Sequence, residues 1–126
     1  MVKQYDEDCI PTVYNIDEIP SNQKGPGTAQ KYFRGIDSLI GLTELTADRD
    51  PTEQHAHPWE QLCFVLDGQG EFEVGGETVE VEAGDLFLVP PGVPHAAKAP
   101  KDELSILFFG PLREDYAELT GYQAEF

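Results

Sequence analysis

Three histidines and one glutamine are spaced so that they can hold a metal ion. His55 and His57 form a His-x-His pair, Gln61 follows four residues after His57, and His95 lies 38 residues beyond it; the chain has no other histidine. In an extended segment residues i and i+2 share a face, so both imidazoles of the pair can address one centre. Pro58 and Trp59 mark a bend into the next strand, from which the carbonyl oxygen of Gln61 can point back to that centre. Glu60 is the rival donor, but its parity sends it to the opposite face of a regular strand. A His-x-His pair alone is also met on strand surfaces and in hydrogen-bonded cores, so its weight here comes from the second element, which ends at His95. Three neutral imidazoles and an amide oxygen leave one or two positions open on a five- or six-coordinate divalent ion, as a catalytic site requires; Fe, Mn, Ni, Zn and Cu all suit such a set.

The elements that must position these side chains are short and β-type. Apolar, β-branched runs fall at residues 38–45, 61–66, 71–74, 78–81, 86–89 and 104–109, separated by Gly and Pro. Strands this short and this close predict a sandwich or barrel. Asp67-Gly68 and Gly75-Gly76 read as tight hairpin turns, because both dipeptides tolerate positive φ. The parity of Gln61 places Cys63 and Val65 inside with it and turns Leu62, Phe64 and Leu66 outward. That apolar outer face needs cover, which a homodimer formed through these strands would supply, or else the N-terminal arm. From Gly84 to His95 the sequence GDLFLVPPGVPH is an apolar strand ending in a Pro/Gly turn that fixes the chain direction just before the last histidine. Residues 1–30 read as an N-terminal arm and loop, and residues 31–126 as one barrel domain. Only the C-terminus has helical spacing, with Pro111 suited to a first turn and Leu112, Tyr116 and Leu119 on one face.

The bulk composition narrows the functions further. With 24 Asp and Glu against 8 Lys and Arg the formal charge is -16, which repels nucleic acid and anionic membrane surfaces. The acids are spread along the chain, as on a solvated surface suited to a salty cytoplasm. In molar salt the Debye length falls to roughly 3 Å and self-repulsion is screened. Cys9 and Cys63 are too few and too far apart for a secreted disulfide framework and are expected to be free thiols. No leader-like or membrane-spanning run is legible, and a cytoplasmic location is expected.

The stretches HAHPWEQLCFVLDG and GDLFLVPPGVPH resemble the two cupin motifs, the second through Gly84, Pro90, Gly92 and His95. The resemblance implies a small all-β jelly-roll barrel, here with a short C-terminal helix, enclosing a metal bound by His55, His57, Gln61 and His95. Two positions depart from the commonest pattern: Gln61 stands where many cupins have Glu, and Ala99 where the second motif often ends in Asn. A neutral amide in place of a carboxylate leaves more of the ion's charge to polarise a bound oxygen. A finer likeness lies at residues 108–115, FFGPLRED, which is similar to a stretch of the pectin-degradation cupins that linearise unsaturated uronates with three His and a Gln. It implies that Arg113 clamps a sugar carboxylate and Phe109 shapes the pocket. Leu107 departs from it, standing where that group is expected to carry a catalytic Asp.

Arg113 also reads as an ordinary helix-start residue on an acidic surface. Trp59 either stacks on a substrate at the barrel mouth or covers the turn at Pro58, and Cys63 reads as a small apolar part of the pocket wall. Three functions follow: a metal-dependent isomerase or lyase on a small anionic sugar or carboxylic acid, a metal-dependent dioxygenase, and a non-catalytic binder of small ligands. The first leads, because of neutral Gln61 and the carboxylate-binding role open to Arg113.

Overall fold

The computed structural model describes residues 13–49, 54–116 and 119–123. It holds eight strands: β1 (Asn22–Gln23), β2 (Thr28–Arg34), β3 (Ser38–Thr46), β4 (Gln61–Val74), β5 (Glu77–Glu82), β6 (Leu86–Val89), β7 (His95–Ala97) and β8 (Glu103–Pro111). All pairings are antiparallel, and the main path runs β1-β2-β3-β8-β4-β5 with β6 and β7 also on β4. This is the all-β jelly-roll barrel expected from the short, closely spaced apolar runs. β1 and the first residues of β2 fall within the stretch read as arm and loop. Cys9 lies outside the described residues. No helix among the described residues is long and apolar enough to cross a membrane.

β4 is the strand that closes the barrel. Its first half pairs with β6 and β8, and its second half with β5 and β7. The two halves meet at a register shift between Val65 and Asp67. Asp67-Gly68 is therefore not a hairpin turn, as its sequence suggested, but continues one 14-residue strand, paired with Ser105 and Leu104 just past a bulge at Leu66. Its positive-φ preference is used all the same: Gly68 has φ +87°, and a Cβ there would lie 2.0 Å from the Glu103 carbonyl oxygen. A bulge inserts one residue and so exchanges the faces of everything after it. That is why Cys63 and Val65 are buried before it, and Phe72, of opposite parity, after it. The chain around Gly84 braces the bulge through Val65 N–H to the Asp85 carbonyl (2.9 Å) and Gly84 N–H to the Val65 carbonyl (2.9 Å). Gly75-Gly76, by contrast, does turn β4 into β5 as expected.

The core groups Leu45, Cys63, Val65, Phe72, Val81, Leu104 and Ile106. Burying each of the larger side chains contributes about 1.5–3 kcal/mol. On the opposite face, Ile40, Phe109, Leu62 and Leu88 stand in one register row across β3, β8, β4 and β6, all of them exposed. The expected parity of Leu62 and Leu66 is thus observed.

The C-terminal segment is less helical than its spacing suggests. Pro111 ends β8 opposite Ser38, a strand-end position that its missing N–H tolerates, and the Leu112 N–H is held by the Asp37 carbonyl at 3.0 Å. Among the described residues a single 3-10 turn, Glu114–Tyr116, follows. The segment docks on β2 instead: Tyr116 packs on Tyr32 (centroids 5.2 Å), and the Gln123 amide exchanges two hydrogen bonds with the Arg34 backbone (2.8 and 3.0 Å).

Candidate metal centre

Each histidine of the proposed site is placed by backbone hydrogen bonds. His55 and His95 form an antiparallel bridge in which each N–H reaches the other's carbonyl (3.0 and 2.9 Å), and the Gly92 N–H donates to the His57 carbonyl at 2.7 Å. The Pro/Gly turn ahead of His95 is thereby tied to the His-x-His segment. One ligand-capable nitrogen from each of the three rings lies within 4.8 Å of the others. This cluster can hold a metal ion.

Ring orientation follows from the second nitrogen. Nδ1 of His57 is 2.8 Å from the Trp59 carbonyl oxygen, and Nδ1 of His95 is 2.8 Å from that of Val93. A carbonyl only accepts, so both rings carry their proton on Nδ1 and present an Nε2 lone pair to the centre. Nε2 of His95 is buried with no hydrogen-bond partner. A buried polar atom left so costs about 1–3 kcal/mol, a cost that a bound cation would remove. Nε2 of His57 faces the amide oxygen of Gln61 at 3.2 Å, two lone-pair groups that a cation reconciles. The Gln61 amide nitrogen donates to Cys63 Sγ at 3.4 Å, which turns its oxygen inward. The residues therefore fit a metal. Glu60 is exposed and absent from the cavity lining.

The centre opens into a cavity of about 620 Å³ lined by Trp59, Cys63, Phe109 and Arg113 together with residues the sequence reading passed over, chiefly Thr28, Gln30, Tyr32, Arg49 and Phe108. Trp59 stacks flat on His57 (4.4 Å, 8°), and the Arg113 guanidinium lies 4.2 Å over the Trp59 ring. Phe108 rather than Phe109 is the ring set into the barrel: a Cβ on Gly41 would lie 2.0 Å from it, while Phe109 stands at the rim. Leu107 is paired with Leu42 and Phe64 and does not line the cavity. Burial pushes the Cys63 thiol up to about 11, the Gln61 hydrogen bond opposing, so Cys63 serves as an uncharged wall.

What the sequence reading missed has a simple origin. Thr28 is distant in sequence from both motifs, and the β2–β3 pairing brings it beside the end of β3, where Arg49, outside the motif pattern, bonds to its hydroxyl. The alternation of β8 was the one available signal for Phe108.

Residues 41–109 match the cupin domain family, and the chain belongs to that family. The chain is 38% identical over 56 residues to an acireductone dioxygenase of Puccinia graminis f. sp. tritici, covering 40% of this chain and 31% of that protein. It is 29% identical over 106 residues to a 3-hydroxyanthranilate 3,4-dioxygenase of Ruegeria pomeroyi, covering 81% and 58%. The chain thus spans about a third and just over half of these two relatives. Among solved structures it is similar to an RmlC-like cupin from Shewanella frigidimarina (TM-score 0.73, 21% identity, 85% and 96% covered). It is also similar to KdgF from Halomonas sp. (TM-score 0.70, 25% identity, 84% and 98% covered).

Proposed function

We propose that the protein is a metal-dependent isomerase or lyase acting on a small anionic sugar or carboxylic acid, with His55, His57, His95 and Gln61 holding one divalent transition metal. The observation that carries this reading is the joining of the histidine cluster to a cavity wall bearing Arg113, with no Asp or Glu among its described lining residues. The metal would supply Lewis acidity toward a substrate oxygen, undiminished by any anionic ligand. The chain does the rest. Arg113, stacked on Trp59, offers its planar fork to a carboxylate. Trp59 also holds His57 in orientation through its ring and its carbonyl oxygen. Gln30, whose amide donates to Thr43 at 3.2 Å, and Tyr32, whose hydroxyl donates to Gln30, give the wall polar groups suited to sugar hydroxyls. The resemblance of residues 108–115 to the pectin-degradation cupins and the near full-length similarity to KdgF support the same substrate class.

A second reading, a metal-dependent dioxygenase, is favoured by the similarity to two named dioxygenases. The two are separated by reconstituting the protein with Zn, Ni, Mn or Fe and following an unsaturated uronate and dissolved oxygen together. Uronate loss with Zn or Ni and without oxygen uptake supports the first; turnover confined to redox-active metals and matched by oxygen uptake replaces it with the second. Binding without turnover under every metal would leave a non-catalytic binder.

As for partners, the exposed row Ile40, Phe109, Leu62 and Leu88 is assigned to a second copy of the chain. It is an uncharged row on a molecule whose net charge of -16 would oppose approach elsewhere. A cytoplasmic location remains part of this reading.

A further inference from the structure

Of the eight Lys and Arg in the chain, three, Lys24, Arg49 and Arg113, line the one cavity that contains the histidines. They do not enter it together. Arg113 follows the end of β8, where Pro111 is opposite Ser38. Arg49 follows β3, and its Nη1 donates to the Thr28 hydroxyl at 2.5 Å, where Thr28 is opposite Leu45. Ser38 and Leu45 are seven residues apart on β3, about 23 Å of strand. The two arginines therefore reach into the cavity from opposite ends of the sheet.

The Arg49 end is a built site. The Arg49 N–H bonds to the Thr46 carbonyl at 3.1 Å, and Thr46 N–H to that of Gly27 at 2.9 Å. Gly27 has φ +71°, and a Cβ there would lie 2.4 Å from the Arg49 nitrogen. The loop carrying Lys24 is thus pressed against the arginine's backbone, with Thr28 and Gln30 beside it on the wall.

We propose that Arg49 and Lys24 form a second anion-binding subsite, so that the cavity takes a small diacid with one acidic group on Arg113 and the other on Arg49. This rests on the reading of the cavity as a small-acid site and specifies the acid.

The test is calorimetric titration of the chelator-treated protein with adipate and with hexanoate, which have the same carbon count but two carboxylates and one, respectively. Adipate is expected to bind at least tenfold more tightly than hexanoate. Arg49→Gln should bring adipate down to the level of hexanoate and leave hexanoate unchanged, while Arg113→Gln weakens both. Because Arg49 also supports the Gly27 turn, Lys24→Gln, at an exposed position, provides an independent variant: it should lower the adipate preference severalfold without altering the melting temperature. Arg113-dependent binding with equal affinities for the two acids, or a preference that survives both the Arg49 and Lys24 changes, overturns the second subsite alone. Absence of any Arg113-dependent binding overturns the small-acid reading and the subsite with it. Neither result depends on turnover.

Discussion

His55 and His95 exchange both of their backbone hydrogen bonds across an isolated bridge, although 40 residues separate them in sequence. Two of the three imidazoles are thus fixed to one another before any ligand is considered, with ring centroids 4.2 Å apart. Binding a metal to such a pre-arranged set requires little ordering of the chain, so binding energy is retained as affinity and stability.

The purified protein should carry about one equivalent of a transition metal, measured by elemental mass spectrometry. His95→Ala should remove it while the circular dichroism spectrum stays that of wild type. A ligand that binds only the folded state stabilises by about 2.7 kcal/mol at one hundred times its Kd, so chelation should lower the melting temperature of wild type and leave that of His95→Ala unmoved. Full metal retention in the mutant would remove His95 from the site.

Gly68→Ala should destabilise the fold by about 2 kcal/mol or more, through both the left-handed φ and the collision with the Glu103 carbonyl. Urea denaturation measures it. Gly76→Ala, in open space though also at positive φ, should cost less. Equal losses would show that position 68 tolerates a side chain.

Raising the pH should loosen the C-terminal segment. The Tyr122 phenol is held above its ordinary 10.0 by burial first and the neighbouring Tyr14 second, and it donates to the Tyr32 carbonyl only while protonated. A raised pKa means that the folded state holds this proton more tightly. The stabilisation is therefore full below pH 10.0 and lost as pH climbs through the folded value. In wild type, hydrogen exchange at residues 119–123 should gain an alkaline step over β3 that Tyr122→Phe lacks; an identical profile in the variant would assign the step elsewhere.

The apolar row on the outer sheet face should hold two copies together. Light scattering on a sizing column is expected to give a dimer for wild type and a monomer for Leu62→Lys/Leu88→Lys, both exposed positions whose change leaves the core alone. A wild-type monomer at every concentration would sink the assignment.

Added potassium chloride should raise the melting temperature, because 24 acids against 8 basic residues repel one another less as salt screens them. A flat or falling response from dilute to molar salt would argue against an adaptation to high salt.

The local sequence settled much of this protein by itself. Alternation placed Cys63 and Val65 inside and Leu62 and Leu66 outside, Gly75-Gly76 made its turn, and the His-x-His and Pro/Gly motifs marked the three histidines that the fold gathers into one cluster, with Gln61 beside His57. Period and turn chemistry are local properties, so one strand's residues suffice to read them. Tertiary structure decided the rest. Asp67-Gly68 stayed within β4 because β8 pairs on both sides of the bulge at Leu66, and among the described residues the C-terminal helix is a single 3-10 turn, because β8 keeps its pairing with β3 through Pro111. Thr28, Tyr32 and Phe108 became cavity residues through pairings with other strands, and Arg49 through the hydrogen bond of its side chain to Thr28. No local pattern encodes such a pairing, because the side chain that a residue will face is supplied by another strand.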